Sequence, residues 1–302
     1  MDGNALTLIA AEPGTEIEPW AEAAGRALAR LGAELGRTEW LAPQHAADVF
    51  FDRLDPDQAE AAVRAELKLG FDGPALDVIV QPAAGRKKHL LVADMESTVI
   101  ANEMLNEIAD IAGVGPQIAD ITRRAMNDEI DFAAALRERV GLLKGKPAGL
   151  LAAAAKRIKI NPGAKALVAT MRRNGAFAAL VSGGFRVFTA PVAQTLGFDR
   201  DFANQLTLDD NVIVAVAEPI LARESKLATL TRLAAERGLK LAETLAVGDG
   251  ANDLAMIGAA GLGIAFHSHP NVAPRARHRV DHADLTALLY AQGYRREEIV
   301  EA

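Results

Sequence analysis

Two carboxylates stand at the end of an apolar run near the middle of the chain. Residues 90–93 are apolar and are followed by Asp94, by Glu96 and by the hydroxyls of Ser97 and Thr98. We expect the apolar run to form a buried strand, with a tight turn directing Glu96 toward the same point as Asp94. In open α/β sheets this edge is where ligands bind. An acid at a strand end could equally cap a helix.

Three other stretches place polar residues near predicted junctions between strands and helices. They are Ser182-Gly183-Gly184, Lys226, and Gly248-Asp249-Gly250-Ala251-Asn252-Asp253. The first stretch alone is typical of a turn, and a single lysine on a helix usually faces solvent. The third is the most informative, because two acids and an amide in one turn exceed what a simple helix cap requires.

Together these stretches fit phosphoryl transfer, which needs a nucleophile, charge neutralisation around the phosphate oxygens and a proton source for the leaving group. A carboxylate such as Asp94 can be the nucleophile and form an aspartyl-phosphate. Mg²⁺ usually binds through one or two carboxylates plus water and substrate phosphate, so Asp94 and Asp249 could be its protein ligands. Glu96 could protonate the departing alkoxide and later activate water.

The phosphate oxygens would also need donors. Ser182 and the backbone N–H of Gly183 could cradle them, as nests of backbone N–H groups do. Lys226 would add a point of positive charge. The remaining requirement, exclusion of water, would be met by the helices that follow Asp94.

The hydrophobic pattern predicts the elements that must position these residues. From residue 161 onward, short apolar strands alternate with helices, which indicates a Rossmann-like, mostly parallel sheet covered on both faces. Residues from 102 to about 160 have a helical pattern throughout, so we predict a helical cap inserted after the first strand. A strand at 202–208 is predicted to form a hairpin with 212–216. These elements make up a predicted α/β domain over 89–302.

The first 81 residues have a different pattern, in the order βαββαβ. Their strands and helices are predicted at 5–10, 18–35, 38–41, 47–51, 55–69 and 76–80. This order predicts a small ferredoxin-like α+β domain over 1–81. Residues 82–88 contain Pro and Gly and read as a linker, whose basic residues at 86–88 we expect on a solvated surface.

Composition narrows the class of protein. A chain of 302 residues suits about two domains, and its net charge of −7 argues against nucleic-acid binding, which needs a basic surface. The absence of Cys excludes thiol catalysis and disulfides. With no signal-peptide pattern and no apolar run long enough for a bilayer, we expect a cytoplasmic protein without a membrane partner. His278 and His282 are expected on a polar surface.

The combined pattern resembles the haloacid-dehalogenase-like phosphohydrolases. The resemblance sharpens to phosphoserine phosphatases of the bacterial two-domain type, whose N-terminal domain is ACT-like. It covers the chain from about residue 88 to the end, and the order of the earlier elements is also similar. It implies Mg²⁺-dependent hydrolysis of O-phospho-L-serine to L-serine and phosphate through an aspartyl-phosphate, as the last step of serine biosynthesis.

The resemblance also implies a role for each matching residue. Asp94 would be the nucleophile and a Mg²⁺ ligand, and Glu96 the proton donor, with its backbone carbonyl also touching the metal. Asp249 would be a metal ligand, and Asp253 would support the metal ligands. The contacts to phosphate and substrate would come from Ser182, Gly183, Lys226 and Asn252.

By the same resemblance, selection of phosphoserine would come from the cap. Glu103 would accept the substrate ammonium, and Arg139 would bind the carboxylate, which its planar fork matches. Met126 and Phe132 would form an apolar wall over the substrate. From the residues alone, the charged pair could be solvated surface and the apolar pair plain core.

Glu96 departs from the family, which normally has Asp at this position. The extra methylene moves the carboxyl by roughly an ångström, and a misplacement of that order can cost ~10²-fold in rate. Three alternatives stay open: a phosphotransferase, a phosphatase for another small phosphate monoester, and a non-catalytic amino-acid sensor. A homodimer through the N-terminal domain is expected only from the family.

Overall fold

The computed structural model describes residues 3–69, 74–126 and 129–301, and the side chain of Met126 lies outside that description. The strands are β1 (Asn4–Ala10), β2 (Glu34–Ala42), β3 (Ala46–Asp52), β4 (Leu76–Pro82), β5 (Leu90–Asp94), β6 (Phe177–Phe185), β7 (Arg200–Asn204), β8 (Leu206–Asp209), β9 (Val212–Val216), β10 (Thr244–Gly248), β11 (Leu262–Phe266) and β12 (His278–Val280). The α-helices are α1 (Glu18–Arg30), α2 (Pro56–Glu66), α3 (Met104–Ala112), α4 (Gly115–Met126), α5 (Phe132–Gly141), α6 (Gly149–Ala155), α7 (Ala164–Arg173), α8 (Arg186–Leu196), α9 (Glu224–Glu236), α10 (Leu254–Ala259) and α11 (Ala287–Ala291). Within these ranges no helix has the length and apolar character that crossing a membrane requires.

The N-terminal elements form an antiparallel sheet with the strand order β2-β3-β1-β4. Alternate apolar residues of these strands pack against α1 and α2, which cover one face. The predicted order βαββαβ of this small α+β unit is confirmed.

The first helix is shorter than predicted, because the helix expected over 18–35 ends at Arg30. Gly32 follows with φ of +85°, a left-handed conformation that suits glycine. The N–H groups of Gly32 and Ala33 donate to the carbonyls of Ala29 and Leu28, which closes the helix end. The chain then enters β2, the edge strand of the sheet.

The larger sheet has six strands, all parallel, in the order β12-β11-β10-β5-β6-β7. The strand that carries Asp94, β5, lies between β10 and β6 at the centre of this sheet. Its residues 90–94 are buried on both faces, which explains why the run is apolar without alternation. The predicted Rossmann-like α/β class is confirmed.

The predicted hairpin strand at 202–208 is wrong, because this segment contains two strands. β7 pairs in parallel with β6 in the main sheet. β8 starts two residues after β7 ends and pairs with β9 as a separate two-stranded hairpin. The break follows Asn204, which still pairs with Phe185 of β6 and whose side chain bonds to Gly183 and Leu221, outside β7 and β8.

The helices α3 to α6 lie between β5 and β6 along the chain and form the inserted cap. The two segments that connect them to the sheet pair with each other, since Ala101 N–H donates to Lys159 O and Asn161 N–H to Val99 O. The β8–β9 hairpin is also bonded to the cap, through residues 145–148 and 211–213. The bounds 1–81, 82–88, 89–302 and 102–160 stay predictions.

Buried polar contacts join the two sheets. The carboxylate of Asp77, which is 1% exposed, accepts hydrogen bonds from the backbone N–H groups of Asp281, His282 and Ala283 at 2.7, 3.2 and 2.8 Å. Gln81 Nε2 donates to the carbonyl that ends α11, at 2.7 Å. A buried carboxylate without hydrogen-bond donors is unfavourable. Separating β4 from the segment after β12 would leave Asp77 without its three donors, so these bonds hold the two together.

Two of the three linker bases, Arg86 and Lys88, are largely buried, so the expectation of a solvated basic surface is wrong for them, whereas Lys87 is exposed and pairs with Glu298. Arg86 Nη2 lies 2.7 Å from Asp48 Oδ2, and both side chains are buried. Lys88 Nζ donates to the carbonyls of Gly85 and Ala242, both at 2.9 Å. Asp48 and Ala242 lie far away along the chain, which is why local sequence does not predict this burial.

His278 is buried as well, against the expectation that it lies on a polar surface. It is 3% exposed in β12, and its Nδ1 lies 3.2 Å from Glu60 Oε2 of α2. Glu60 also accepts hydrogen bonds from Arg64 Nε at 3.0 Å and from Val80 N–H at 3.1 Å. The contact between α2 and β12 thus contains a buried hydrogen-bond network centred on Glu60.

Glu60 should make the stability of the fold depend on pH on the acid side. Burial would raise the pKa of Glu60, but hydrogen bonds and charge from His278 and Arg64 outweigh it and lower the pKa below the ordinary 4.5. The stabilisation is therefore present above the ordinary pKa and is lost as the pH falls through the lowered one. Glu60→Gln should flatten the decline of the unfolding free energy below about pH 4.5, measured by urea denaturation.

The matched control for this measurement is Glu66→Gln in the same helix. Glu66 is more exposed and contacts Arg30 at the surface, where ion pairs contribute little. Its acid decline should follow that of the unsubstituted protein. Equal declines for all three proteins would contradict the role given to Glu60.

Candidate active site

The carboxyl ends of β5, β6 and β10 bring the predicted site residues to one edge of the sheet. Ala93 pairs with Leu180 of β6 on one side and with Val247 of β10 on the other. Asp94 therefore lies at the centre of the edge, with Ser182 and Asp249 just beyond the two neighbouring positions. The structure thus brings together the stretches that the sequence leaves far apart.

Asp94 is buried at the end of β5. Its Oδ1 accepts the Met95 N–H at 2.8 Å, and its Oδ2 lies 2.8 Å from Lys226 Nζ. The backbone then turns sharply, since Ser97 has φ of +52°, which residues other than glycine rarely adopt. This turn carries the side chain of Glu96 back across the strand end.

Glu96 is half-buried, and both of its carboxyl oxygens have partners. Oε1 accepts the N–H of Met104 in the first turn of α3 at 2.7 Å, and Oε2 accepts the hydroxyl of Ser182 at 3.2 Å. Burial, and next the repulsion from Glu103, raise the pKa of Glu96 to about 7. The carboxyl therefore bridges the end of β6 and the cap, with an acidity that suits proton transfer near neutral pH.

The turn after β10 is built around close contacts to glycine. A Cβ at Gly248 would lie 2.2 Å from Asp253 Cγ, and one at Gly250 would lie 2.2 Å from Asn252 Oδ1. Asp253 Oδ2 accepts the Gly250 N–H at 3.1 Å. The glycines are therefore needed for the two polar side chains to fold back over the turn, beside Asp249.

Three carboxylates form a cluster at this edge. Each of Asp94, Asp249 and Asp253 has an oxygen within 4.8 Å of the other two, and all three residues are buried. Thr98 Oγ1 donates to Asp249 Oδ1 at 3.2 Å. Burial, and next the charge of Asp253, raise the pKa of Asp94 well above its ordinary range and that of Asp249 to about 6. An all-oxygen donor set with excess negative charge fits a hard divalent cation such as Mg²⁺.

Lys226, at the start of α9, supplies the positive charge next to this cluster. Its Nζ lies 2.8 Å from Asp94 Oδ2 and 2.6 Å from Asp253 Oδ1. Burial alone would lower the pKa of Lys226, but the two carboxylates outweigh it and raise the pKa. The ammonium group is thus held in place as a cation beside Asp94, contrary to the usual solvent-facing lysine.

The stretch Ser182-Gly183-Gly184, called the phosphate turn below, lies near the end of β6, where the pairing with β7 is irregular. Ser182 Oγ accepts the N–H of Gly184 at 2.9 Å. A Cβ at Gly183 would lie 3.1 Å from Phe132 Cζ, so α5 of the cap rests directly on the turn. A Cβ at Gly184 would lie 2.7 Å from Glu96 Oε2. Both glycines therefore allow close approach of neighbouring side chains.

The remaining cap residues face the same region. Glu103 directly precedes α3, and its Oε1 accepts the hydroxyl of Ser97 at 2.6 Å. Arg139 Nε donates to a carbonyl one turn earlier in α5 at 3.2 Å. Burial lowers the pKa of Arg139, while the charges of Glu96 and Glu103 oppose this effect, so the guanidinium lies in the field of both. The side chain of Met126, which the sequence predicts to contact the substrate, lies outside the part of the chain that the structure describes.

The sequence assigns no role to Thr98 or Asn204, which the structure also brings to this edge. Thr98 orients Asp249, and its position four residues after Asp94 in the same turn could have indicated a link to the site. Asn204 ends β7 and bonds to the carbonyl of Gly183 at 2.8 Å. A single Asn at the end of a strand offers no pattern from which this contact could be predicted.

Comparison with known proteins agrees with this geometry. Residues 91–258 match the family model of the haloacid dehalogenase-like hydrolases. The phosphoserine phosphatase of Streptomyces coelicolor is 34% identical over 307 residues, which cover 99% of this chain and 73% of that protein. The crystal structure of the HAD family hydrolase t0658 from Salmonella enterica serovar Typhi aligns with a TM-score of 0.81 at 27% identity, covering 96% and 98% of the two chains.

A parallel sheet thus gathers three acids, a lysine and the Ser-Gly-Gly stretch under a helical cap, and these groups supply what phosphoryl transfer needs. With its family match over more than half of its length, the chain belongs to the haloacid dehalogenase-like hydrolase family. Phosphoserine phosphatase SerB2 of Mycobacterium tuberculosis is 39% identical over 230 residues, 75% of this chain. The chain spans only 56% of that relative's length.

Proposed function

We propose that this chain hydrolyses O-phospho-L-serine to L-serine and phosphate. The observation that carries the proposal is the position of Asp94 at the centre of the sheet edge, with Lys226 at 2.8 Å and the Glu96 carboxyl directed back across the strand end. The similarity to phosphoserine phosphatases over nearly the whole chain supports the choice of substrate.

In the first step, a carboxylate oxygen of Asp94 attacks the phosphorus, and the bond between phosphorus and the serine oxygen breaks. The departing serine oxygen takes a proton from Glu96, so serine leaves as a neutral hydroxyl and Asp94 carries the phosphoryl group. In the second step, Glu96 takes a proton from a water molecule that attacks the phosphorus. The aspartyl-phosphate is cleaved, and phosphate and free Asp94 result.

The phosphate oxygens would be held by the phosphate turn and by Lys226, which neutralise charge where it accumulates. Asn252, folded over its turn, would contact the substrate from the other side. Asp94, Asp249 and the backbone carbonyl of Glu96 would hold Mg²⁺, with Asp253 supporting them. Bound there, Mg²⁺ would neutralise phosphate charge and help to orient the phosphate.

Selection of the serine moiety would fall to Glu103 and Arg139. Glu103 has one carboxyl oxygen engaged by Ser97, and the other could accept the substrate ammonium. Arg139 offers a planar fork for the substrate carboxylate. Phe132, which rests against the phosphate turn, would close the apolar side, and Met126 would join it. We place this reaction in the cytoplasm as the last step of serine biosynthesis, and a homodimer through the N-terminal sheet stays a prediction.

The test measures phosphate release from phosphoserine with Mg²⁺ and no added acceptor alcohol. Phosphoethanolamine lacks the substrate carboxylate, and 3-phosphooxypropanoate lacks the ammonium, so each loses one of the two proposed contacts. The kcat/KM for phosphoserine should exceed both values by about tenfold or more. Mg²⁺ should also raise the Tm, because it binds the native state alone. A chelator should remove both the phosphate release and the rise in Tm.

Other outcomes would identify the alternatives. Phosphate release only after addition of an acceptor alcohol would indicate a phosphotransferase. Preference for another monoester would replace the substrate but keep the reaction. Serine binding without any phosphate release would indicate a sensor and would overturn the proposal.

A further inference from the structure

We propose that Asn204 is a positioning residue that sets the geometry of the phosphate turn and ties it to the segment before Lys226. The inference rests on the proposed function, because it concerns how this site binds phosphate. Asn204 ends β7 and is 2% exposed. The reaction described above does not use its side chain, which lies behind the phosphate turn.

Both polar atoms of the Asn204 amide are engaged. Nδ2 donates to the carbonyl of Gly183 at 2.8 Å and to that of Leu221 at 3.3 Å, while Oδ1 accepts the N–H of Leu221 at 2.6 Å. These partners are 21 and 17 residues away along the chain. Because an amide can donate and accept at the same time, one buried side chain joins three segments of the sheet edge.

The bond to Gly183 orients the phosphate turn. In a trans peptide the C=O and the following N–H point in opposite directions, so a carbonyl drawn toward Asn204 sends the N–H of Gly184 the other way. That N–H donates to Ser182 Oγ at 2.9 Å. Since the hydroxyl accepts there, its own proton is free to point to Glu96, which lies 3.2 Å away. The hydroxyl that would touch phosphate is thus oriented through Asn204.

The bonds to Leu221 influence the position of Lys226, the second group proposed to contact phosphate. Leu221 lies five positions before Lys226, in the segment that leads into α9. Asn204 binds both the N–H and the carbonyl of Leu221, so the approach to α9 is held against the phosphate turn. Two groups that would bind the same phosphate are therefore fixed relative to each other. Displacements near 1 Å at such positions can cost roughly 10²-fold in rate.

The chemistry of the site explains why an amide is needed. Asn204→Asp preserves size and shape, but a carboxylate cannot donate to the carbonyls of Gly183 and Leu221 and would repel both. The phosphate turn would lose its orienting bond. The substitution therefore tests the amide donor and leaves side-chain volume unchanged.

The matched control is Gln292→Glu, which also turns a buried amide into a carboxylate. Gln292 is 1% exposed, its Nε2 donates to the carbonyl of Leu288, and its Oε1 accepts the N–H of Lys88. It lies at the contact with the linker and has no contact with the phosphate turn. Both substitutions should lower the Tm, so stability alone does not distinguish them.

The decisive measurement is calorimetric titration of the intact chain with inorganic phosphate in the presence of Mg²⁺. Asn204→Asp should weaken phosphate binding by about tenfold or more, whereas Gln292→Glu should leave it unchanged. The KM for phosphoserine should rise by the same factor, and the preference over phosphoethanolamine should not change, because the amino-acid contacts are untouched. Equal phosphate affinity in Asn204→Asp and the unsubstituted protein would overturn the proposal.

If Asn204→Asp does not fold, Asn204→Ser provides the same test without adding charge, and its phosphate affinity should fall in the same direction. The proposal and the proposed function fail in different ways. An unsubstituted protein that binds phosphate but releases none from phosphoserine contradicts the function alone. If the unsubstituted protein is fully active and Asn204→Asp binds phosphate with the same affinity, only the positioning role is contradicted.

Discussion

Asp94→Asn should reduce the turnover of phosphoserine by about 10⁵- to 10⁶-fold, the range seen when a catalytic nucleophile is removed. Asn has nearly the same size as Asp, so β5 and its neighbours should keep their packing. Its neutral amide is a far weaker nucleophile toward phosphorus, and it also weakens the interaction with Lys226, 2.8 Å away. Phosphate release under saturating phosphoserine and Mg²⁺ measures the loss.

Two observations separate a nucleophile from a residue that only binds the cation. Phosphoserine labelled at phosphorus should leave label on the quenched native protein and none on Asp94→Asn. Asp201→Asn is the control, because Asp201 lies in β7 and bonds to Thr189 and Arg186 at 2.8 and 3.3 Å, outside the acid cluster. Its turnover should stay close to normal. Label retained on Asp94→Asn would refute the assignment.

Glu96→Asp should lower turnover by about 10²-fold, even though Asp is the residue that the resemblance leads one to expect there. The Glu96 carboxyl is bonded to Met104 N–H at 2.7 Å and to Ser182 Oγ at 3.2 Å. Shortening the side chain by one methylene withdraws the carboxyl from both partners. Steady-state kinetics with phosphoserine should show the loss mainly in kcat, because the group acts on the leaving oxygen.

Glu96→Gln provides the complementary test, since it keeps the length and removes the acid. It should cost ~10²–10⁴-fold, the usual contribution of a positioned general acid. Glu107→Asp is the control: it shortens a glutamate of α3 that contacts Asn102 and Arg157 away from the strand ends, and it should change kcat little. A rise in kcat for Glu96→Asp would instead mean that the native Glu compromises proton transfer.

Much of this arrangement could be predicted because parallel strands share an edge. Once β5, β6 and β10 are recognised as parallel, Asp94, Ser182 and Asp249 must lie on the same edge, and they meet because β10 and β6 are the two neighbours of β5. The cap was equally predictable, because helices without intervening strands follow β5. These inferences use only hydrophobic period and strand ends, which are local properties.

The features that could not be predicted depend on partners distant in sequence. From the sequence, Arg86 and His278 are expected on the surface. The structure buries Arg86 against Asp48 and His278 against Glu60, and neither partner is near in sequence. The end of α1 at Arg30 depended on Gly32 adopting a left-handed conformation, which a helical pattern does not reveal. Nothing near Asn204 in the sequence indicates its contacts, because both of its partners, Gly183 and Leu221, lie in other segments of the chain.

We expect the cap to separate from the phosphate turn, where Phe132 rests against Gly183, when the proposed substrate enters. The cap does not separate alone, because backbone bonds from residues 145–148 attach it to the β8–β9 hairpin. The hairpin follows Asn204, the last residue of β7, and the chain after it passes through Leu221 before α9; Asn204 and Leu221 are bonded to each other. We therefore expect the hairpin to move with the cap when the cap opens, with flexing at residues 204–205 and 217–221 as well as at the two cap linkers.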